Sequence, residues 1–144
     1  IWYILITDKN DKINKIIIKN MSKILILGFH TINLILIIFY LYPGSLIGFF
    51  LYNDSTIQLQ ITRDFLISSN HFYAFITLSI VGIIAYNKSN KMNVLIVYLF
   101  LLSIILEFLH IIIPNRNFEL NDLFGNFLAV VLITTVYKIK NRYV

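Results

Sequence analysis

The chain of 144 residues has no cysteine, which excludes a disulfide framework, a thiolate metal site and a cysteine nucleophile. It also has little charge. Asp, Glu, Lys and Arg make up 13% of residues, about half the share found in a soluble domain. Only two prolines are present, Pro43 and Pro114, and each closes an apolar run. No glycine elbow or similar turn marks a serine, so Ser68, Ser69 or Ser103 beside a histidine makes a poor nucleophile and base. The net charge of +5 is carried by lysines at the ends of apolar runs. There they act as topology signals, and nucleic acid is excluded as a partner.

What the chain does have is hydrocarbon. Hydrophobic residues make up 58% of it and mean hydropathy is +0.80. Runs of about twenty apolar residues, each crossing a bilayer as a helix, reconcile this composition with life in a cell. The sequence therefore predicts an all-α, polytopic cell-membrane protein, a four-transmembrane-helix bundle with helices at about 24–42, 70–86, 92–113 and 122–137.

Residues 1–20 differ in character from the rest of the chain. They read either as a non-domain N-terminal extension ahead of Met21 or as a truncated upstream segment. The transmembrane domain proper spans 21–144. The mixed stretch from 46 to 69 reads as irregular or interfacial, with a brief strand-like alternation at 57–62 too short for a sheet and with Arg63 and Asp64 solvated. The triplet Ser68-Ser69-Asn70 is expected to cap the second helix. Inside the first helix, His30 and Asn33 are expected to hydrogen-bond to a neighbouring helix or backbone.

Basic residues orient the bundle. Lys23, Lys88, Lys91, Lys138, Lys140 and Arg142 fall on one side and Arg63 and Arg116 on the other, so the first side, with both termini, is predicted to be cytoplasmic. The unusual polar residues then converge near the outer side. His71 opens the second helix, Glu107 lies about 9 Å below the outer end of the third, and Asn126 lies about 6 Å into the fourth. Ser103, Glu107 and His110 share one arc of the third helix; Asp122, Asn126 and Ala129 share one arc of the fourth. Gly125 and Ala129 form a small-xxx-small spacing that admits a closely packed helix.

Arg116, in the connection between these helices, is placed to offer bidentate donors to Glu107 or Asp122. The candidate ligand-binding set is His71, Glu107, His110, Arg116, Asp122 and Asn126, in a polar pocket suited to an anionic headgroup. Glu107 and His71 are the candidate catalytic groups. Each residue also has an ordinary structural reading: Glu107 and Arg116 as an ion pair, Asp122 as a first-turn acid, Asn126 as an interhelical hydrogen-bonder. The Glu-x-x-His spacing at 107–110 matches half of a di-iron pattern, but the second copy and two further glutamates are missing. Nothing beyond ligand type supports a mononuclear metal at His71, Glu107, His110 and Asp122, so no metal and no cofactor are expected.

These residues resemble the VanZ-like family of small bacterial membrane proteins. The resemblance is carried by Pro43-Gly44-Ser45, by HFYAF at 71–75 and by EFLHIIIPNRNFELNDLFGN at 107–126, and it spans roughly residues 21 to 137. His71, Glu107, Arg116, Asp122 and Asn126 occupy the family's polar positions. His110 stands where a glutamine is usual and Ala129 where a glycine is usual. Ser68-Ser69 replaces a frequent Asp-Lys pair. The resemblance implies a cell-envelope setting, a link to resistance to the glycopeptide teicoplanin, and membrane lipids or a lipid-linked cell-wall precursor as partner, but no established reaction. Two other readings remain open: an outward-facing membrane hydrolase or transferase, and an assembly protein that packs through Gly125 and Ala129.

Overall fold

The computed structural model describes residues 2–64, 66–87 and 89–143, with side chains described at 14 and from 17 onward. Lys88 of the orientation argument lies outside the described residues. Five helices follow one another, α1 (Trp2–Leu41), α2 (Leu46–Tyr52), α3 (Ser69–Ala85), α4 (Met92–Leu109) and α5 (Leu120–Tyr143), and there is no strand among the described residues. The strand-like alternation at 57–62 therefore remains loop.

α1 runs through Met21 without a break, at about 60 Å for its 40 residues. No glycine precedes Gly28 and no proline precedes Pro43, so nothing in the backbone stops the helix where the composition changes. Three helical stretches are long and apolar enough to cross a membrane: Ile17–Leu41, Met92–Leu109 and Leu120–Tyr143. The apolar α3, at 17 residues, is shorter.

The helices carry apolar groups on the outside as well. Val94, Val97, Leu101, Ile105 and Phe108 form one exposed stripe on α4, and Phe124, Leu128, Leu132 and Val136 another on α5. Each stripe recurs every three or four residues and points away from the core. A water-soluble protein does not sustain such continuous apolar faces, whereas a helix facing hydrocarbon requires them. The chain is a helical membrane protein.

α3 is the central helix, packed most extensively on α5 and next on α1, with α4 closing the bundle against α5. Phe29, Leu36, Phe75, Leu78, Leu99 and Val130 are among the buried core side chains. Gly82 lets Phe29 of α1 press on α3, since a Cβ there would lie 2.9 Å from the phenyl ring. Gly125 admits α3 to α5 in the same way: a Cβ would meet the Ser68 carbonyl oxygen at 2.9 Å. The Gly125 and Ala129 face is thus occupied by a helix of the same chain. His30 lies 3.1 Å from the Tyr86 hydroxyl and Asn33 donates to the Tyr98 hydroxyl, the interhelical roles expected of both.

The segment from 46 to 69 is more ordered than its composition suggests. α2 is a short helix with a cap at each end. The Ser45 hydroxyl accepts from the Gly48 amide at 3.0 Å, and Asn53 ends the helix in the left-handed region at φ 55°, which asparagine tolerates better than most residues. Asp64 is exposed, as expected of a solvated charge, and it also serves α3. Its carboxylate accepts from the Ser69 amide at 2.7 Å and so caps α3, while the cap-position residue Ser68 makes no side-chain cap bond. Ser69 instead donates its hydroxyl to the Thr62 carbonyl at 2.7 Å.

α4 ends at Leu109, four residues short of the sequence expectation. Pro114 disfavours helical backbone before it, and the chain tightens into i→i−3 bonds: His110 to Glu107 at 3.1 Å, Ile111 to Phe108 at 3.2 Å and Ile112 to Leu109 at 3.1 Å. α5 starts two residues earlier than expected and runs on to Tyr143.

Candidate functional site

Four helix ends meet at one end of the bundle: the C-termini of α1 and α4 and the N-termini of α3 and α5. His71 is the third residue of α3, Asp122 the third of α5 and Glu107 the third from the end of α4. The shared depth read from the sequence places these three side chains together. His71 Nε2 lies 3.1 Å from Asp122 Oδ2, and His71 Nδ1 lies 3.7 Å from Glu107 Oε2. Glu107 is fully buried, while the side chains of His71 and Asp122 keep 14% and 16% of their surface exposed. The cluster is thus closed on the α4 side and open on the α3 and α5 side.

Glu107 is held by its other oxygen. Oε1 accepts from the Glu119 amide at 3.0 Å and faces His110 Nδ1 at 3.3 Å. The opposite ring nitrogen, His110 Nε2, is 3.1 Å from the Tyr40 carbonyl. A carbonyl only accepts, so Nε2 carries a proton, and a neutral His110 would turn the Nδ1 lone pair onto a carboxylate oxygen. One further proton therefore lies between His110 and Glu107. The tightened turn after Leu109 brings the His110 ring to this position.

Asn126 lies beneath the cluster with both ends of its amide engaged. The Tyr40 hydroxyl donates to its Oδ1 at 2.7 Å, and its Nδ2 donates to the Ser103 carbonyl at 3.5 Å. Tyr40 was not legible as part of this site, and it organises much of it. Its ring stands edge-on to His71 with centroids 4.9 Å apart and stacks on His110 at 5.9 Å. The available signal was positional: Phe29, Asn33, Leu36 and Tyr40 recur at helical spacing, so one stripe of α1 carries two hydrogen-bonding groups into the bundle.

Arg116 departs from expectation. Among the described residues, no ion pair within 4.0 Å joins it to Glu107 or Asp122. Its guanidinium instead donates to the carbonyls of Tyr42 at 3.3 Å and Phe39 at 3.2 Å. Phe39 lies in the last turn of α1 and Tyr42 just beyond it, where carbonyls lack intrahelical partners and the helix dipole is negative. Burial pushes the Arg116 guanidinium below the ordinary arginine range, with Asp122, Tyr40 and Glu107 acting against that shift; arginine stays charged even so. Two of its five N–H donors are assigned in this way.

Ser103 is not a nucleophile facing the cluster, since its hydroxyl donates to the Phe100 carbonyl of its own helix at 2.8 Å. A cavity of about 220 Å³ opens among the loops at the same end of the molecule, lined by Gly44, Ser55, Thr56, Gln58 and Asn115. Compared with known proteins, the chain matches no family model, no curated protein and no solved structure.

Proposed function

We propose that the chain is a VanZ-like protein of the cell membrane that holds the anionic headgroup of a lipid or lipid-linked cell-wall precursor at the end of the bundle where His71, Glu107 and Asp122 meet. In this reading α3 is a fourth span, both termini are cytoplasmic and the cluster faces outward. The lysine distribution supports the orientation: Lys23, Lys91, Lys138 and Lys140 lie at the end of the helices opposite the cluster.

The observation that carries the reading is the convergence of the N-termini of α3 and α5 with Arg116 around one partly exposed polar cluster. Helix N-termini present amides and the positive end of the dipole to an anion. Arg116 retains donors beyond those spent on α1. A role in glycopeptide resistance belongs to the same reading, through the lipid-linked precursor that such drugs bind.

The test is native mass spectrometry of the protein purified in its own lipid. Anionic lipid is expected to co-purify with the wild type and to be lost from Arg116→Gln, which keeps an N–H donor for the end of α1. An unchanged lipid profile in that variant, at equal helical content, overturns the headgroup reading.

One observation favours a second reading, a membrane hydrolase or transferase. His71 is flanked by a carboxylate near each ring nitrogen, and a base oriented by an acid is the usual arrangement for proton abstraction. Headgroup release from candidate lipids that follows the ionisation of a histidine and vanishes in His71→Gln would establish it.

A further inference from the structure

Two atoms of the cluster are buried and take no hydrogen bond: Glu107 Oε2 and His71 Nδ1. They face each other at 3.7 Å, beyond hydrogen-bonding distance. Unpartnered buried polar atoms are rare in folded proteins and call for an explanation at each occurrence. Here both belong to side chains whose other polar atom is already engaged, Glu107 Oε1 by Glu119 and His110 and His71 Nε2 by Asp122. The two side chains are therefore held in place with a lone pair left over on the carboxylate and a ring nitrogen turned toward it.

One donor atom from each of His71, Glu107 and Asp122 lies within 4.8 Å of the other two. Ligands about 2.0–2.2 Å from a common tetrahedral ion stand about 3.4 Å apart, so the widest pair closes by up to about 1.4 Å, a side-chain rotation, when the ion enters. We propose that His71, Glu107 and Asp122 form a binding site for one divalent transition-metal ion of the Zn²⁺ or Mn²⁺ class. The chemistry of the donors selects that class: imidazole suits Zn²⁺, carboxylates suit Mn²⁺, and the absence of thiolate removes the softest ions.

The surroundings are those of a supported site. A ligating carboxylate is normally hydrogen-bonded by its neighbours, and the free oxygen of Glu107 is fixed by the engagement of the other. The Tyr40 ring packs edge-on against His71. Each ligand comes from a different helix, α3, α4 and α5, so the ion ties the three together. Its charge offsets the Asp122 carboxylate and adds to the compensation that the proton shared with His110 gives Glu107. Three protein ligands leave further coordination positions. Those positions open where His71 and Asp122 are exposed, so a water or a phosphate oxygen can complete the shell. The ion is bound by the protein alone, independently of any headgroup.

The experiment uses the full chain with a tag that contains no histidine, in nanodiscs, stripped with chelator and titrated with Zn²⁺, Mn²⁺ and the spectroscopic probe Co²⁺. About one equivalent per chain is expected, with visible Co²⁺ absorption from a nitrogen and oxygen ligand field. His71→Ala and Asp122→Asn should each weaken binding by roughly tenfold or more. His30→Ala, about 15 Å along α1 from Tyr40, should bind as the wild type does. Zn²⁺ should raise the melting temperature of the wild type and of His30→Ala but not of His71→Ala. A wild type that takes up no ion, or site variants that bind it unchanged, overturns the proposal. Should one variant fail to fold by circular dichroism, the wild-type titration and the near-isosteric Asp122→Asn still decide. Metal uptake without lipid retention would sink the headgroup reading and leave the cation site standing, and the reverse result would do the opposite.

Discussion

Glu107 and Tyr40 show how much of the site depends on single atoms. In Glu107→Gln the amide oxygen can still accept from the Glu119 amide, and the new N–H₂ points at His71 Nδ1, whose partner atom lay 3.7 Å away. The variant should therefore fold, with stability within about 1 kcal/mol of wild type, while losing ion binding because an amide is a far weaker ligand than a carboxylate. Glu107→Leu strands the Glu119 amide and His110 Nδ1. A buried group left unpartnered costs about 1–3 kcal/mol, so this variant should melt clearly lower in detergent than Glu107→Gln. Equal melting points for the two would show that the hydrogen bonds at Oε1 do not stabilise the fold. Tyr40→Phe is a finer probe. It removes the bond to Asn126 Oδ1 but keeps both ring contacts, so a loss of about 1 kcal/mol is expected, with ion binding retained. His71, Glu107 and Asp122 were legible because an ionisable group inside an apolar run is conspicuous by its cost. Tyr40 was not, because tyrosine is unremarkable in a membrane helix and its role arises only where α1 meets α4.

At the scale of the elements, close approach of α3 and α5 is what brings His71 to Asp122. Gly125 permits it, and a Cβ there would press on a backbone oxygen at 2.9 Å, which cannot swing aside as a side chain can. Gly125→Ala should thus shift α5 outward and cost about 1–3 kcal/mol, the usual range for overpacking. It should also weaken ion binding although it removes no ligand. Normal melting and normal binding in this variant would mean that the helices separate without consequence for the site. Helix existence was readable from the apolar runs, but helix ends were less so. Apolar composition marks where lipid lies, not where i→i−4 bonding stops, and so Ile111 and Ile112 looked helical while their amides bond three residues back. Arg116 was expected to seek an acid. The bare carbonyls at the end of α1 are a competing anion-like partner, and sequence spacing does not reveal which helix end a loop will cross.

For the whole molecule, the helix directions place the cluster at one end of the bundle and Lys91, Lys138, Lys140 and Arg142 at the other. α3 is the helix on which the proposed fourth crossing turns. Its 17 residues span about 25 Å, less than the roughly 30 Å hydrocarbon core. The loop from Asn53 to Ser68 makes up the difference by folding over its N-terminus, with Asn70 Oδ1 accepting from the Ile61 amide at 2.9 Å and Asp64 capping Ser69 at 2.7 Å. The Ser69 amide at the N-terminus of α3 is thereby satisfied without bulk water, as a crossing there would demand. If α3 crosses, positions 58 and 117 lie on one side and positions 90 and 141 on the other. The natural absence of cysteine makes single-cysteine labelling clean. Gln58→Cys and Asn117→Cys should react with an impermeant thiol reagent added to intact cells, because both residues are exposed and lie on the side with fewer basic residues. Asn90→Cys and Asn141→Cys should react only after the membrane is opened. Labelling of Asn90→Cys in intact cells together with protection of Gln58→Cys would invert the orientation and give the cluster cytosolic ligands. Labelling of Gln58→Cys and Asn90→Cys from the same side would remove α3 from the spans, and the cluster would then sit beside the membrane on a three-span scaffold.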